Sequence, residues 1–477
     1  MSKELKLMKN TAIIAIGNVF TKCISFFMLP LYTSLLTPSE YGLVDLLTVI
    51  ITLASCILSL QFEQGLFRFL IDVRNQKDEQ DKYISTALFI VCVCMSIVGL
   101  ISIIILKIIG YQYTFYLISN IFTAVLLAMF LQVSRGLGDN LTYSIASCIN
   151  GSSTIILNVF FIVILQWNVE GILLSLLIAR IISIIIIVIR CKLLRYISLN
   201  SIDVTCGREL FEFSTPLIPN NICWWIVNAS DRIIINIFLN TAANGIYSVA
   251  CKFPSTFSMV TNIFYTAWTE SASESVDDDD RGSYYQNVMD KSVRFYSSAS
   301  LGIIAILPIL FKFLVNKDFQ TAYNLIPILI IGAFFHSVAD LYCSLYTAFK
   351  MTKKIAKTTI YSAIINISIN MFFVSKFGLY AAAFSTALAY IIIAVYMHIE
   401  LSKVVEISYK LGYIITEVFA YIIILTIYYI GKRWIQFFII PILVFYCYKQ
   451  NEELLYKTIV SLIGKNRKSK IISTKEI

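Results

Sequence analysis

The sequence predicts an all-α polytopic membrane protein: about fourteen transmembrane helices, arranged as two parallel-repeat six-helix lobes around a central cavity, with two further C-terminal helices. Three observations predict it. The chain of 477 residues is 58% hydrophobic and only 14% charged, outside the range of soluble globular proteins. Fourteen mostly apolar runs approach the roughly 20 residues that a helix needs to cross a bilayer. Lys and Arg are concentrated in alternate connections between those runs, as the positive-inside rule requires.

The first run, 11–36, follows "MSKELKLMKN" without a small-residue cleavage site, so it reads as an uncleaved first helix. Runs 41–70, 83–108, 112–134, 141–166 and 170–189 complete the first six. The second six are 211–239, 244–270, 293–315, 320–349, 356–375 and 379–402, and 410–430 and 434–448 close the series. This gives an N-lobe over 1–205, a C-lobe over 206–405, two extra helices within 406–448 and a basic cytoplasmic tail over 449–477. With the N-terminus inside, inner segments hold Lys3, Lys6 and Lys9, then Arg74, Lys77 and Lys82, then Arg190, Lys192, Arg195 and Arg208. They continue with Arg281, Lys291 and Arg294, then Lys350, Lys353, Lys354 and Lys357, and end in "GKNRKSK". The outer loops "TPSE", "WNVE" and "NTAAN" carry no Lys or Arg. The "GKRW" turn, with Lys432 and Arg433, is the exception and leaves the orientation of the last hairpin open.

This distribution explains the net charge of +9 without a basic face for nucleic acid. The eleven Cys residues form no CxxC pair and no Cys/His set with metal spacing, and Cys92 and Cys94 read as small apolar residues. Asp277 to Asp280 read as a solvated inner turn. No GxxxxGK[ST] or GxGxxG is present, which argues against direct use of ATP. Every outer loop is short, leaving no room for an extracytoplasmic catalytic domain, so the chain is not expected to be an enzyme.

A shift of 203 residues lays "LLTPSEYGLVDL" over "FLNTAANGIYSV", placing Leu36 on Leu239, Gly42 on Gly245 and Leu43 on Ile246. An even number of helices separates the copies, so the halves share one orientation and are related by an axis along the membrane normal. Paired bundles of this kind bind substrate between the halves and alternate access by rocking.

With "LPLYTSLLTPSEYGLVDLL" at Leu29–Leu47 and "EQGLFRFL" at Glu63–Leu70, the chain resembles the polysaccharide repeat-unit flippases of Wzx type. These belong to the multidrug/oligosaccharidyl-lipid/polysaccharide exporter superfamily. The resemblance implies a flippase of the bacterial cytoplasmic membrane, both termini cytoplasmic. It would carry undecaprenyl-pyrophosphate-linked oligosaccharide to the outer leaflet for O-antigen or capsule assembly. A polysaccharide polymerase and chain-length machinery are its implied partners, besides membrane lipid. No cofactor is expected; H+ or Na+ coupling, or consumption of the cargo outside, would supply energy.

Five cations lie within the spans, where a charge costs about 2.5 to 3.5 kcal/mol and normally faces a cavity or a partner. By expected depth, Arg68 lies near the inner end, Lys22 and Arg180 near the middle, and Arg232 and Lys252 in the outer half. Guanidinium groups take phosphate with bidentate geometry and Lys offers a point charge, so this ladder suits a pyrophosphate. Internal pairing is the competing reading. Asp45, Glu63, Asp231, Glu270 and Asp340 are available, and Asp231 could meet Lys252 across the seventh and eighth helices. Trp224 and Trp225, in mid-helix, could stack on sugars or simply pack. Asn18, Asn221, Asn228 and Asn262 could line the cavity or join helices. Trp167 and Trp434 read as interfacial belt residues, and His336 lies one turn before Asp340. The alternatives are a multidrug/cation antiporter, against which the excess of cations argues, a membrane-embedded polymerase or ligase, and a peptidoglycan lipid-precursor flippase.

Overall fold

A computed structural model describes residues 26–405, 407–431 and 434–453. Much of the first expected span, including Asn18 and Lys22, lies outside the described residues. All regular structure within them is helical. The helices are α1 (Leu29–Leu35), α2 (Pro38–Leu58), α3 (Phe62–Asp72), α4 (Lys77–Ile108), α5 (Thr114–Gly136), α6 (Asn140–Asn158), α7 (Asn168–Arg190) and α8 (Val204–Ser214). They continue as α9 (Leu217–Phe238), α10 (Thr241–Glu274), α11 (Arg281–Leu314), α12 (Ala322–Ala348), α13 (Thr352–Phe377), α14 (Leu379–Leu401) and α15 (Leu411–Ile430). A last helix, α16, covers residues 434 to 453.

Ten described helices are long and apolar enough to cross a membrane, which makes this a multi-pass membrane protein. Helices α9 and α10 have the length, at 22 and 34 residues, but are not among the ten. Their polar content explains this: Asn220, Asn221, Asn228, Asp231 and Arg232 interrupt one, and Asn244, Lys252 and Asn262 the other.

Two expected single spans are each two helices. The 41–70 run breaks at Leu60 and Gln61, both left-handed with φ of 53° and 57°, conformations uncommon outside glycine. Asn221 of α9 donates to the Gln61 side chain at 2.5 Å across this break. The 211–239 run breaks at Pro216, whose ring removes a backbone donor from the helix ladder while Thr215 and Pro216 keep right-handed helical dihedrals. At the other end of α2, "TPSE" is itself a helix start. Thr37 Oγ1 accepts from the Glu40 amide at 3.3 Å, the Glu40 carboxylate accepts from the Thr37 amide at 2.9 Å, and Pro38 occupies the first turn. Helix α6 runs on into a wider π-turn over Val159–Ile164 before Trp167 opens α7.

The chain divides into two compact units. The first comprises the described residues up to Lys252 together with Leu314–Ala322 and Thr359–Ser385. Its apolar core gathers Phe62, Leu66 and Leu70 of α3, Val91 and Met95 of α4, and Met129 of α5. The second comprises Phe253–Phe313, Tyr323–Thr358 and the described residues from Thr386 onward. Its core is aromatic, and the polar tips are satisfied as burial demands. Trp268 Nε1 donates to the Leu341 carbonyl at 3.3 Å, and the Tyr285 hydroxyl donates to the Ala272 carbonyl at 2.8 Å.

Within the first unit, α2 and the start of α10 cross at Gly42 and Gly245, the two residues that the 203-residue shift superposes. A Cβ on Gly42 would stand 1.9 Å from the Thr241 carbonyl oxygen, and one on Gly245 would stand 2.0 Å from that of Pro38. Asn244 Nδ2 donates to the Gly42 carbonyl at 2.8 Å and fastens the crossing.

Backbone on both sides leaves no room to relax, so Gly42→Ala and Gly245→Ala should each lower stability by at least the roughly 1–3 kcal/mol typical of overpacking. Gly302, helical and with nothing within 4 Å of where a methyl group would stand, serves as the control. There Ala should raise stability by about 0.5–1 kcal/mol through helix propensity. Thermal unfolding of the detergent-solubilised chain reads both signs.

A buried charge cluster as the candidate functional site

The α2/α10 crossing sets the positions of the charges around it. One turn beyond Gly42, α2 presents Asp45; two turns beyond Gly245, α10 presents Lys252. Helix α9 adds Asp231 and Arg232, whose side chains diverge by about 100° as successive helical residues must. Asp231 is buried at 3% exposure. Its Oδ2 accepts from the Tyr247 hydroxyl at 2.8 Å and its Oδ1 from Asn370 Nδ2 at 2.7 Å. Beside it, the Ser230 hydroxyl donates to Asn366 Oδ1 at 3.4 Å. Arg232 turns to α2, where its Nε lies 3.0 Å from Asp45 Oδ2; these side chains are 17% and 16% exposed. Its Nη1 donates to the Asn228 carbonyl at 2.7 Å. Lys252 meets the Tyr41 hydroxyl and lies within electrostatic reach of Asp45 and Arg232. Tyr41 is in turn packed edge-on against the Phe319 ring at 5.9 Å.

The cluster thus brings together Asp45, Asp231, Arg232 and Lys252 of the residues singled out from sequence. The others lie apart from it or use other partners. Arg180 of α7 donates through Nη1 to the Asn120 carbonyl at 3.0 Å and to Asn120 Oδ1 at 2.7 Å, so neutral groups hold it and no carboxylate pairs with it among the described residues. Arg68 of α3 is exposed and paired with Asp72, one turn on, at 2.6 Å. Glu63, earlier on α3, keeps a buried Oε2 with no hydrogen bond. Trp225 Nε1 donates to the Val49 carbonyl at 3.3 Å, while Trp224 is half-buried beside it on α9. Asp340 belongs to the second unit, 3.3 Å from His336 Nδ1, whose ring meets Tyr390 edge-on. No group of metal-ligating side chains occurs among the described residues.

Tyr41, Tyr247, Asn370 and Asn120 are the partners that sequence reasoning does not single out. Each is an uncharged residue among other polar residues of a long helix, and no spacing marks it as different from ordinary packing.

Chemically, two cations and two carboxylates lie close together, each largely shielded from solvent, with hydroxyls at Asp231 and Lys252 and an amide at Asp231. There a guanidinium can exchange a carboxylate for another oxyanion of similar geometry.

Fold and cluster together define a class, the multi-pass α-helical membrane proteins whose fold flippases and exporters also use. The fold is shared with the lipid II flippase MurJ in its inward closed conformation, at a TM-score of 0.73 and 14% identity over 94% of this chain and 100% of that one. An inward-facing multidrug resistance MATE family transporter of the MOP superfamily gives 0.62 and 12% identity over 83% and 98%. A mutant of the Vibrio cholerae MATE transporter VcmN gives 0.52 and 12% over 83% and 96%. The chain belongs to the polysaccharide biosynthesis protein family, whose profile matches residues 7–269, more than half of its length. No curated protein sequence matches it.

Removing one member of a buried ion pair leaves the other uncompensated, at a cost of about 3–5 kcal/mol. Asp45→Ala and Arg232→Ala should each fall in that range, and the Asp45→Leu/Arg232→Met double variant should lose clearly less than their sum. Unfolding measurements on the three variants would show strict additivity if the two side chains were not coupled.

Proposed function

We propose that the chain is a flippase of the bacterial cytoplasmic membrane, with both termini cytoplasmic. It carries undecaprenyl-pyrophosphate-linked oligosaccharide repeat units from the cytoplasmic to the outer leaflet for assembly of a surface polysaccharide such as O-antigen or capsule. The observation that carries this reading is the pair of cations, Arg232 and Lys252, held within apolar helices by groups that an incoming oxyanion can replace. Family membership supports a role in polysaccharide biosynthesis. The fold likeness to a flippase for lipid II supports a lipid-linked cargo.

In this reading, pyrophosphate oxygens replace Asp45 on Arg232 and take the point charge of Lys252. Trp224 and Trp225, with Asn18, contact the sugars. Lys22, Arg68 and Arg180 continue the path inward. Asp45, Glu63, Asp231 and Asp340 balance the cations between loads or couple the cycle to H+ or Na+. The polyprenyl tail stays in lipid while lobes 1–205 and 206–405 rock about the cavity between them. A polymerase with chain-length machinery takes the product outside. A cationic-drug exporter fits less well, since cations in the path repel its cargo. The MurJ likeness favours one second cargo of the same chemistry, a peptidoglycan lipid precursor.

In cells deprived of their own repeat-unit flippase, the chain should restore surface polymer. Lys22→Ala, Arg68→Ala and Lys252→Ala, checked for wild-type abundance, should each cut export at least tenfold, and Lys252→Arg should keep most of it. Full export by all three Ala variants overturns the cationic path. Rescue of cells lacking a lipid II flippase, with no polymer exported, assigns the second cargo instead.

A further inference from the structure

The second unit contains a cavity of about 510 Å³ bounded by α11, α12, α14 and α15. No step of the pyrophosphate path uses it. Its size is that of a pocket for a drug-sized molecule. The walls are aliphatic and aromatic, with Phe334, Phe335, Tyr342, Tyr409, Tyr413 and Tyr421 supplying rings.

One carboxylate belongs to this lining. Glu417, in the middle of α15, is 8% exposed. The Ser297 hydroxyl donates to its Oε2, and the Tyr446 hydroxyl donates to its Oε1 at 2.9 Å. These are neutral donors, and among the described residues no Lys, Arg or His forms an ion pair with Glu417. The basic groups nearby are engaged elsewhere. Arg294 pairs with Asp290 at 2.9 Å, donates to Gln450 at 3.1 Å and lies 4.5 Å above the Tyr413 ring. His398 Nδ1 shares a hydrogen with the Tyr342 hydroxyl at 3.2 Å.

A carboxylate within a membrane span is costly to keep and normally has a charged partner. Among the described residues no charge complement faces it, and the space beside it is walled by aromatic rings, whose π faces attract organic cations. Val395, Val418 and Ile422 both line the cavity and are exposed on the apolar exterior of the unit, so the cavity opens sideways toward lipid. We infer that this cavity is a binding site for a lipophilic organic monocation that enters from the bilayer and places its charge at Glu417. An acyl or polyprenyl chain would match the walls but leave the carboxylate without a counter-charge.

Tetraphenylphosphonium and tetraphenylborate, matched in shape and opposite in charge, test this directly on the purified full chain by equilibrium dialysis. Saturable binding of one phosphonium per chain is expected, with the borate at least tenfold weaker. Glu417→Gln should weaken phosphonium binding at least tenfold, and Val418→Trp should do so by filling the space. Thermal unfolding checks that both variants fold; if Glu417→Gln does not, the phosphonium/borate ratio on the unaltered chain and the Val418→Trp result decide. Equal affinity for both ions, or phosphonium binding unchanged by a folded Glu417→Gln, would assign the cavity to an uncharged lipid chain and overturn the inference. Absence of saturable phosphonium binding would overturn it as well. Transport is not the readout, so the result stands apart from the cargo proposed above.

Discussion

The first unit depends on a contact made without side chains. Helices α2 and α10 approach so closely at Gly42 and Gly245 that each backbone occupies the space where the other residue's Cβ would be. Only glycine permits this. The approach brings Asp45 within ion-pair distance of Arg232 and sets Lys252 beside Tyr41. Had either position carried a methyl group, the helices would stand farther apart and the charges would face apolar surface instead of one another.

Around that contact, each buried charge is compensated in a different way, and the differences bear on function. Asp231 accepts from a hydroxyl and an amide and lies within electrostatic reach of Arg232. Arg180 is held by one asparagine through both its carbonyls, a neutral arrangement with no carboxylate beside it among the described residues. Arg232 has a carboxylate, a partner with which an incoming oxyanion of similar geometry can compete for the guanidinium. In a low-dielectric interior these distinctions matter more than distance alone, since an uncompensated charge there is far costlier than at a surface. Fixed neutral cages suit permanent features of the span, and a carboxylate partner suits one that changes hands.

The membrane class was legible because it rests on composition, and the close crossing because it rests on residues whose backbone role leaves no substitute. Gly42 and Gly245 stood out at equal offsets, whereas "TPSE" was read as an outer loop and is the capping box that starts α2. The breaks were harder to see. Leu60 and Gln61 carry no glycine or proline to announce a left-handed turn, and their conformation is held by long-range contacts such as the bond from Asn221. Pro216 did announce its break, although hydrophobic run length outweighs a single proline in a count of spans. Of the charges, Asp45, Asp231, Arg232 and Lys252 were visible as anomalies in apolar helices. Their neutral partners Tyr41, Tyr247 and Asn370 were not, since membrane helices use such residues everywhere. Glu417 escaped notice for another reason: its donors, Ser297 and Tyr446, come from a helix more than a hundred residues before it and from the helix after it.

The crossing at the two glycines is reciprocal. Gly42 faces the Thr241 carbonyl, Gly245 faces the Pro38 carbonyl, and the shift that superposes the glycines also superposes Pro38 on Thr241. That is the self-complementary pattern of a two-fold dimer interface, in which each half offers the other the same patch. Two separate copies of one such patch could make the same contact as a symmetric pair, but then every position would have to serve both sides alike. A single chain carries no such requirement. Leu29 stands at the position equivalent to Arg232 and Val49 at that equivalent to Lys252, a charged asymmetry that two identical copies could not hold.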